Sequence, residues 1–515
     1  MNVKAVIFSK SRPLQLEACL HSLYSNCLDL DQIQVAVLAK TEGFYTDAYD
    51  RVMRDYPDVV FIREADFHTD LCHWMKGADY GLFVVDDCLF YRPFRVMEAV
   101  NLLAANASVI AFSLRLGKNI TRSYVADREI QQPEFDVDSG NLLWRWRGAD
   151  SDWGYPLEVS STIMQVGPNL ELYRFGNPNE LEDVLSQEPQ YHFGYNYMMS
   201  FEQSVAYCVP ANIVNTTHTT NRHGANEAFN ATNLLDAYMH GQRIDISHLP
   251  TPSAVHQEIE FELWKPRYSV VIPYHEAGKT IIDTILSVMT QTVQDLELIV
   301  VDDGSDPNDF IHCFPFWKNH RMRYYRIENS GPTKATAYGF ERAYGDYLLR
   351  LDADDLMDHD FLKIMGAALD AHPEAGFVYC NTYYFGDGLK LFEQREYDFQ
   401  QLLKENFISY CSLIRRAAYE KADGYDLDNW GYSEDWQLWI KLGAAGFPGV
   451  HVPQALFYYR QGAGIFHKVN PLLSRAFIIT RLPHLWPKEE VEQAERTLEQ
   501  APNGWYGRPP GELTS

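Results

Sequence analysis

Acidic side chains follow three short apolar runs in the C-terminal half of the chain. Glu276 comes shortly after the run that ends at Pro273, Asp303 ends the next run, and Asp352 follows a third. Ligands of open α/β sheets bind beyond the carboxyl ends of the strands, so side chains at these ends are expected to converge. One such acid could simply cap a helix or a turn. Three strand ends of this kind predict a binding site.

Asp352 and Asp354 are separated by one residue at the end of an apolar stretch that begins at Tyr347. On an extended backbone, alternate residues point to the same side, so both carboxylates are expected to face one pocket. Carboxylate oxygens suit Mg²⁺ or Mn²⁺, which also accept phosphate oxygens. The spacing therefore predicts a divalent cation that neutralises charge on a diphosphate leaving group.

Glu434 and Asp435 form a fourth acidic element, at the start of an amphipathic pattern that continues through Leu438, Trp439 and Leu442. An acid in a first helical turn also interacts favourably with the helix dipole, so a structural role stays open. A carboxylate at this position could instead accept a proton from an attacking hydroxyl. The pair is therefore a candidate catalytic element.

The order and spacing of these motifs resemble family 2 glycosyltransferases of the GT-A fold. The resemblance rests on Ser-Val-Val-Ile-Pro at 269–273, Thr-Ile-Leu-Ser-Val-Met-Thr-Gln-Thr at 284–292, Glu-Leu-Ile-Val-Val-Asp-Asp-Gly-Ser at 297–305, Asn-Ser-Gly-Pro at 329–332, Gly-Asp-Tyr at 345–347, Leu-Asp-Ala-Asp-Asp at 351–355 and Glu-Asp-Trp at 434–436. It implies an inverting, metal-dependent transfer of sugar from a nucleotide-diphosphate sugar, with a UDP-sugar as the first expectation.

The resemblance also implies roles for individual residues. It makes Asp435 the general base with Glu434 beside it, and Asp354 and Asp352 the ligands of Mn²⁺ or Mg²⁺. It assigns nucleotide-sugar binding to Pro273, His275, Glu276, Asp303, Lys334, Asp352 and Arg460. Two positions depart from the family pattern: His275-Glu276 stand where Tyr-Asn is usual, and Thr336-Ala337 where Arg-Asn is usual. Lys334 is the candidate for the missing positive charge.

Strand–helix alternation occurs twice along the chain, which predicts an α/β fold with two tandem, mostly parallel-sheet domains. The resemblance implies that these domains are GT-A-like. We expect an N-terminal domain at 1–248, a Pro-containing linker at 249–266, the catalytic domain at 267–465 and a short helical tail at 466–515. The fourth strand of the second domain is expected to run through residues 347–355.

In the N-terminal half, the segments Val-Ile-Phe-Ser-Lys-Ser-Arg-Pro at 6–13 and Leu-Phe-Val-Val-Asp-Asp at 82–87 resemble a more distant glycosyltransferase of the same broad fold. This resemblance implies a candidate second metal site at Asp86 and Asp87, with His218 as a further ligand. The alternative for the segment around His218 is a polar loop without metal.

The second apolar run of the N-terminal half ends without the acids that would recognise a nucleotide base. Three alternatives follow for this half: a second transferase, an acceptor-binding domain without catalysis, or a dimerisation module. The first of these would make the protein bifunctional.

The amino-acid composition limits the classes of partner that the protein is expected to bind. Lys and Arg number 44 against 70 Asp and Glu, a net charge of −26 that excludes nucleic acid as an expected partner. Scattered cysteines, no signal pattern and no apolar run long enough to cross a bilayer predict a cytosolic protein, with peripheral association at the inner membrane face as a further option.

The expected acceptor is a glycan or lipid-linked glycan, in surface polysaccharide synthesis. Two other functions remain as alternatives: a non-catalytic glycan-binding scaffold and a nucleotidyltransferase. A nucleotidyltransferase would require a basic Gly-rich loop after the first strand, and residues 274–280 do not supply one.

Overall fold

The computed structural model describes the chain apart from residues 42, 139, 167–173, 188–193, 213–228, 261, 315–318, 320, 387, 429–432, 462–469 and 502–515. It divides into two compact units. Unit 1 is built from Met1–Trp264, and unit 2 from Lys265–Phe316 with Arg321–Ser515.

Unit 1 alternates strands and helices before it ends in short strands. Its described strands are β1 (Val3–Lys10), β2 (Gln34–Lys40), β3 (Val60–Arg63), β4 (Tyr80–Val85), β5 (Cys88–Phe90), β6 (Val109–Ser113), β7 (Arg122–Ser123), β8 (Arg128–Glu129), β9 (Asp136–Asp138), β10 (Asn141–Arg145), β11 (Thr162–Gln165), β12 (Tyr197–Phe201), β13 (Ala206–Cys208), β14 (Arg243–Ile244) and β15 (Leu263–Trp264). Its described helices are α1 (Pro13–Asn26), α2 (Thr46–Asp55), α3 (Phe67–Met75), α4 (Val96–Ala105), α5 (Pro178–Gln187) and α6 (Ala231–Met239).

Unit 2 repeats the alternation and ends in two helices. Its described strands are β16 (Tyr268–Tyr274), β17 (Leu296–Asp303), β18 (Met322–Ile327), β19 (Tyr347–Arg350), β20 (Leu356–Met357), β21 (Phe377–Phe385), β22 (Lys390–Phe392), β23 (Leu413–Arg415) and β24 (Gly449–Arg460). Its described helices are α7 (Ile281–Met289), α8 (Pro332–Arg342), α9 (Phe361–Ala371), α10 (Phe399–Leu402), α11 (Arg416–Lys421), α12 (Glu434–Ala444), α13 (Pro471–Arg481) and α14 (Lys488–Glu499).

The main sheets of the two units share a strand order. In unit 1 it runs β3-β2-β1-β4-β11-β6-β12-β10-β9, and in unit 2 it runs β18-β17-β16-β19-β23-β21-β24-β20. The first four strands of each are parallel, the fifth is antiparallel to both its neighbours, and the sixth and seventh are parallel to each other. The predicted α/β fold class, two tandem parallel-rich domains, is confirmed.

Apolar strands and capped helices explain this architecture locally. Every residue of β16 and of β17 is buried, as expected for parallel strands covered on both faces. Helix α8 begins after Gly331, which has a φ of 90°, and has Pro332 in its first turn. Glycine tolerates that backbone angle, and proline suits a first helical turn because its missing N–H would be unpaired there.

The prediction of one strand through residues 347–355 is wrong. Strand β19 ends at Arg350, and the Asp355 N–H donates to the Asp352 carbonyl at 3.1 Å, which closes a turn. The polar sequence Asp-Ala-Asp-Asp favours a turn because carboxylate side chains compete with the sheet for backbone hydrogen bonds. The two acids are therefore presented by a turn and not by an extended strand.

The stretch expected as a linker, residues 249–266, has structure of its own. Strand β15 pairs with β14, and Val255 is buried in the core of unit 1. At the other end of the chain, α13 buries Ile478 against the unit 2 core, and Arg481 pairs with Asp426 and Asp428. Among the described residues, no helix combines the length and apolar character needed to cross a membrane.

Candidate functional site

The carboxyl ends of three neighbouring parallel strands carry the acidic motifs of unit 2. Strand β16 lies between β17 and β19, and all three run in the same direction. Strand β21 also runs in this direction, because it is antiparallel to β23 and β23 is antiparallel to β19. The segments after Pro273, Asp303 and Arg350 therefore leave the sheet at one edge, where open α/β sheets bind their ligands.

The turn at residues 352–355 is fixed from the side by helix α7. The hydroxyls of Thr280 and Thr284 both donate to the Ala353 carbonyl oxygen, at 2.9 and 3.0 Å. Because Ala353 lies between Asp352 and Asp354, these two hydrogen bonds hold the backbone on which both carboxylates depend.

Arg350 joins two of the predicted acidic motifs. Its Nε lies 2.8 Å from Asp352 Oδ1, and its Nη1 lies 2.6 Å from Glu434 Oε1. The Arg350 side chain is only 6% exposed. A buried guanidinium requires counter-charges, and its planar nitrogens can serve two carboxylates at once. The structure thus brings the start of α12 to the 352–355 turn, although these segments are far apart in sequence.

Asp435 lies next to this bridge, in the first turn of α12. Its Oδ2 accepts a hydrogen bond of 3.1 Å from the Asn406 amide. Burial, and then the charge of Glu434, raise the pKa of Asp435 to about 7, and the Arg350 charge opposes the shift. A carboxylate with a pKa near neutrality is suited to accept a proton at physiological pH.

Asp354 is half-buried and meets the chemical requirements of a cation ligand. Among the described residues, no other residue donates a hydrogen bond to its carboxylate, and burial together with the Asp352 charge raises its pKa. A divalent cation would relieve both effects, and carboxylate oxygen is the ligand that Mg²⁺ and Mn²⁺ prefer. Asp352 is less suited to be a metal ligand, because both of its carboxylate oxygens already accept hydrogen bonds from Arg350, at 2.8 and 3.3 Å.

Arg460 approaches the same turn from the end of β24. Its Nε donates to the Asp354 carbonyl oxygen at 2.8 Å, and its backbone N–H donates to Asp355 Oδ1 at 2.7 Å. The guanidinium lies 4.5 Å from the centre of the Phe385 ring. The guanidinium of Arg460, a predicted nucleotide-sugar-binding residue, therefore lies beside the acidic turn, where a diphosphate would need positive charge.

Asp303 contacts the loop before α8. Its carboxylate accepts from the backbone N–H groups of Ser330, at 2.7 Å, and Gly331, at 2.8 Å. Gly304 has a φ of 72°, and a Cβ atom there would lie 2.7 Å from the Asn329 backbone nitrogen. Asp303 thus holds this loop against the strand end. Its predicted contact with a nucleotide base would use the carboxylate positions that remain.

Of the other predicted binding residues, three lie at or just after the end of β16 and one lies in helix α8. Pro273 is buried in β16, and His275 Nδ1 lies 3.0 Å from the Asp303 carbonyl oxygen. Glu276 is exposed, with a φ of 50°, and its N–H donates to a serine hydroxyl. Lys334 lies in the first turn of α8.

The sequence motifs did not include Arg350, Asn406 or Tyr410. Tyr410 donates its hydroxyl to Asp355 Oδ2 and accepts from the Asp352 N–H at 3.2 Å. Arg350 carried a usable signal, because a charged residue ended an apolar strand two positions before an acid. Nothing local in the sequence marked Asn406 or Tyr410, whose contacts depend on the tertiary fold.

The candidate second site in unit 1 is organised around an arginine. Arg12 Nη1 lies 3.1 Å from Asp86 Oδ1 and 3.0 Å from Asp87 Oδ2, and Ser9 Oγ donates to Asp86 at 2.8 Å. Burial raises the pKa of Asp86 to about 6, against the opposing charge of Arg12. A divalent cation would have to displace this guanidinium, so the arrangement does not fit a metal. His218 lies outside the described residues.

Sequence comparison identifies the family of the central segment of unit 2. Residues 269–437 match the model of Glycosyl transferase family 2, which confirms the family predicted for this half. The chain is 28% identical over 180 residues to a bifunctional glycosyltransferase, pgtA, of Dictyostelium discoideum, covering 31% of this chain and 23% of that protein. It is 32% identical over 156 residues to an uncharacterized glycosyltransferase of Haemophilus influenzae, covering 29% and 62%.

A third relative is poly-beta-1,6-N-acetyl-D-glucosamine synthase of Staphylococcus epidermidis, 29% identical over 124 residues, which cover 24% of this chain and 29% of the synthase. The chain therefore spans less than two thirds of the length of each of these relatives. Among solved structures, TarS 1–349 of S. aureus in complex with UDP matches 42% of this chain and 65% of that chain, at 19% identity and a TM-score of 0.35.

Proposed function

We propose that the family 2 glycosyltransferase segment at 269–437 makes this protein an inverting enzyme that transfers sugar from a nucleotide-diphosphate sugar, a UDP-sugar in the first instance. The acceptor is a glycan or lipid-linked glycan in the cytosol, and surface polysaccharide synthesis is the proposed pathway class. The observation that carries this proposal is the Arg350 bridge, because it gathers Asp352 and Glu434 into one cluster. The relation to a poly-N-acetylglucosamine synthase supports the pathway class.

Asp435 is the proposed general base. It accepts the proton of the acceptor hydroxyl as that oxygen attacks the anomeric carbon, and the bond to the nucleoside diphosphate breaks on the opposite face. The configuration of the sugar therefore inverts. The hydrogen bond from Asn406 orients the carboxylate, and the raised pKa of Asp435 keeps it basic enough near pH 7.

Asp354 is the proposed ligand of Mn²⁺ or Mg²⁺, with Asp352 next to it. Such an ion would neutralise charge on the departing diphosphate. Arg460 contributes a fixed positive charge at the same turn, and Asp303 with His275 borders the nucleotide. Glu434 holds Arg350, and Arg350 in turn holds Asp352.

Unit 1 is proposed to be an acceptor-binding domain without metal-dependent catalysis. The observation that favours this alternative is the Arg12 guanidinium, which pairs with both Asp86 and Asp87 where a metal ion would have to bind. A metal ion at this acid pair would have to compete with a guanidinium that is already in contact with both carboxylates.

Thermal stability with nucleotides tests the proposed function. We expect UDP or GDP to raise the melting temperature only when Mn²⁺ or Mg²⁺ is present, since a ligand that binds the native state stabilises it. Asp354→Ala should abolish this shift. A metal-independent shift that survives in Asp354→Ala would contradict the assignment of the metal ligand, and the absence of a shift with every nucleotide would contradict the donor class.

A further inference from the structure

Aromatic side chains line the same sheet edge on the far side of the acidic turn. Strands β21 and β24 are parallel neighbours, and Tyr384 lies opposite Tyr459 in their register. Both residues are within one position of the strand ends. The strand order β17-β16-β19-β23-β21-β24 puts the 352–355 turn between the Asp303 end of the sheet and this tyrosine pair.

Five rings form a continuous series from the acidic turn outward. Tyr410 lies 5.4 Å from Phe457, Phe457 lies 6.3 Å from Tyr459, Tyr459 lies 5.5 Å from Tyr384, and Tyr384 lies 5.7 Å from Phe392. Tyr410 is bonded to Asp355 at one end. Phe392 is 44% exposed at the other. We refer to Tyr459, Tyr384 and Phe392, the accessible part of the series, as the aromatic ladder.

The ladder lies on the side of β24 that carries Phe457, whose ring contacts Tyr410 at the acidic turn, whereas Tyr458 and Tyr383 stack with each other on the other side. Burial and then the charges of Asp355, Asp352 and Asp354 raise the pKa of Tyr459. The adjacent Tyr458 stacks on Tyr383 at 5.4 Å, and its pKa is raised by burial and then by Asp358. Side chains alternate between the two faces of a strand, which explains why consecutive tyrosines have different neighbours.

We propose that the aromatic ladder is the subsite that receives a pyranose ring of the acceptor glycan. The apolar C–H face of a sugar ring packs on an aromatic face, and the phenol hydroxyls of Tyr384 and Tyr459 can hydrogen-bond to sugar hydroxyls. An unbranched apolar ligand has no hydrogen-bonding groups that could pair with these hydroxyls. This inference rests on the proposed function, because it names the acceptor class of the same site.

The strand order separates this subsite from the donor. The proposed nucleotide contacts, Asp303 and His275, are at the ends of β17 and β16, and the ladder is at the ends of β21 and β24. The acidic turn at the end of β19 lies between them. A donor bound on one side and an acceptor ring on the other would meet at the carboxylates, as a transfer reaction requires.

Nucleotide release from UDP- and GDP-sugars, with and without cellobiose, maltose or chitobiose, tests the subsite in the full chain. We expect Phe392→Ala and Tyr384→Ala to raise the half-saturating concentration of the stimulating disaccharide about tenfold, and to leave release without acceptor within about twofold. Tyr384→Phe, which keeps the ring, should give a smaller rise. Tyr383→Ala, on the opposite face of the same strand, is the matched control and should change neither quantity.

Two results would overturn the subsite: no change of half-saturation in both ladder variants, or an equal change in Tyr383→Ala. Failure of all three disaccharides to stimulate the unmodified chain would also overturn it. These outcomes differ from failure of the proposed function, in which the unmodified chain releases no nucleotide from any donor.

Discussion

Glu434 and Asp435 are consecutive acids with different surroundings. Glu434 is bonded to the buried guanidinium of Arg350, whereas Asp435 is partly exposed and has an amide as its hydrogen-bond partner. Arg350 thus fixes one acid and leaves the other able to gain and lose a proton. Two neighbouring carboxyls with different environments are a usual way to separate a positioning role from a proton-transfer role.

The pH dependence of catalysis follows from the raised pKa of Asp435. The proposed base must be deprotonated, and burial together with the charge of Glu434, opposed by the charge of Arg350, raises the pKa of Asp435 to about 7. We expect kcat/KM to rise about tenfold per pH unit below that value and to level off above it, since kcat/KM reports the free enzyme. A pH-rate profile from pH 5 to 9 measures this, and a flat profile over that range would contradict it.

The acids of the site could be predicted from the sequence, but most of their partners could not. Asp303, Asp352, Asp354 and Asp435 stood out because strand ends and helix starts are local patterns. Asn406 contributes through a contact that spans 29 residues, which no local periodicity encodes. The turn at Asp352 was also missed, because an apolar run alone does not show where a strand stops.

Among the secondary-structure elements, helix α7 holds the acidic turn in place through hydrogen bonds. Thr280 and Thr284 lie one helical turn apart, and the shorter hydrogen bond of each hydroxyl goes to the Ala353 carbonyl oxygen. Two hydroxyl donors on one carbonyl restrict both the position and the orientation of the turn. The geometry of the proposed metal ligand, Asp354, therefore depends on hydrogen bonds from the start of helix α7.

Replacing both threonines by valine should weaken metal-dependent nucleotide binding. Loss of two hydrogen bonds of about 1 kcal/mol each frees the turn, so we expect binding to weaken roughly tenfold or more by isothermal titration. Thr290→Val is the control, because the Thr290 hydroxyl, at the end of the same helix, donates to the Leu286 carbonyl oxygen of that helix and not to the acidic turn. Unchanged affinity in the double variant would show that the turn is held by other contacts.

The Arg350–Glu434 ion pair, which joins β19 to α12, should contribute to the free energy of unfolding as well as to the positions of the acidic residues. Arg350→Met leaves Asp352 and Glu434 without their shared counter-charge, and breaking a buried ion pair typically costs about 3–5 kcal/mol. Arg395→Met provides the comparison, because Arg395 and its partner Glu405 are 62% and 54% exposed. Such a surface pair is worth at most about 1 kcal/mol.

Urea unfolding followed by tryptophan fluorescence compares the two variants. A lower midpoint for Arg350→Met, with little change for Arg395→Met, is the expected result. Equal midpoints would mean that Arg350 does not carry the connection between the strand and the helix.

In the whole molecule, the two units share one strand order but carry different groups of acidic residues and arginine at the edge of the sheet. The strand–helix alternation predicted the four parallel strands of each unit, because local periodicity encodes them. The fifth strand, antiparallel to its neighbours, and the pairing of β14 with β15 were not predicted, since short strands are recognisable only by their partners.

The two sheet edges are expected to respond differently to removal of one acid. Asp87→Asn removes a partner of Arg12 in unit 1, and Asp354→Asn removes the proposed metal ligand in unit 2. We expect metal-dependent nucleotide release to stay within about twofold in Asp87→Asn and to fall at least about a hundredfold in Asp354→Asn. Comparable losses in both variants would indicate catalysis in unit 1.

We propose that the carboxylates at 352–354 and at 434–435 act together in one sugar-transfer reaction. The most direct measurement compares donor binding and turnover in Asp435→Asn. We expect the nucleotide-dependent rise in melting temperature to be retained in this variant while nucleotide release falls by about 10²–10⁴, the usual contribution of a general base. Turnover close to that of the unmodified chain, or a loss of donor binding as large as the loss of turnover, would contradict it.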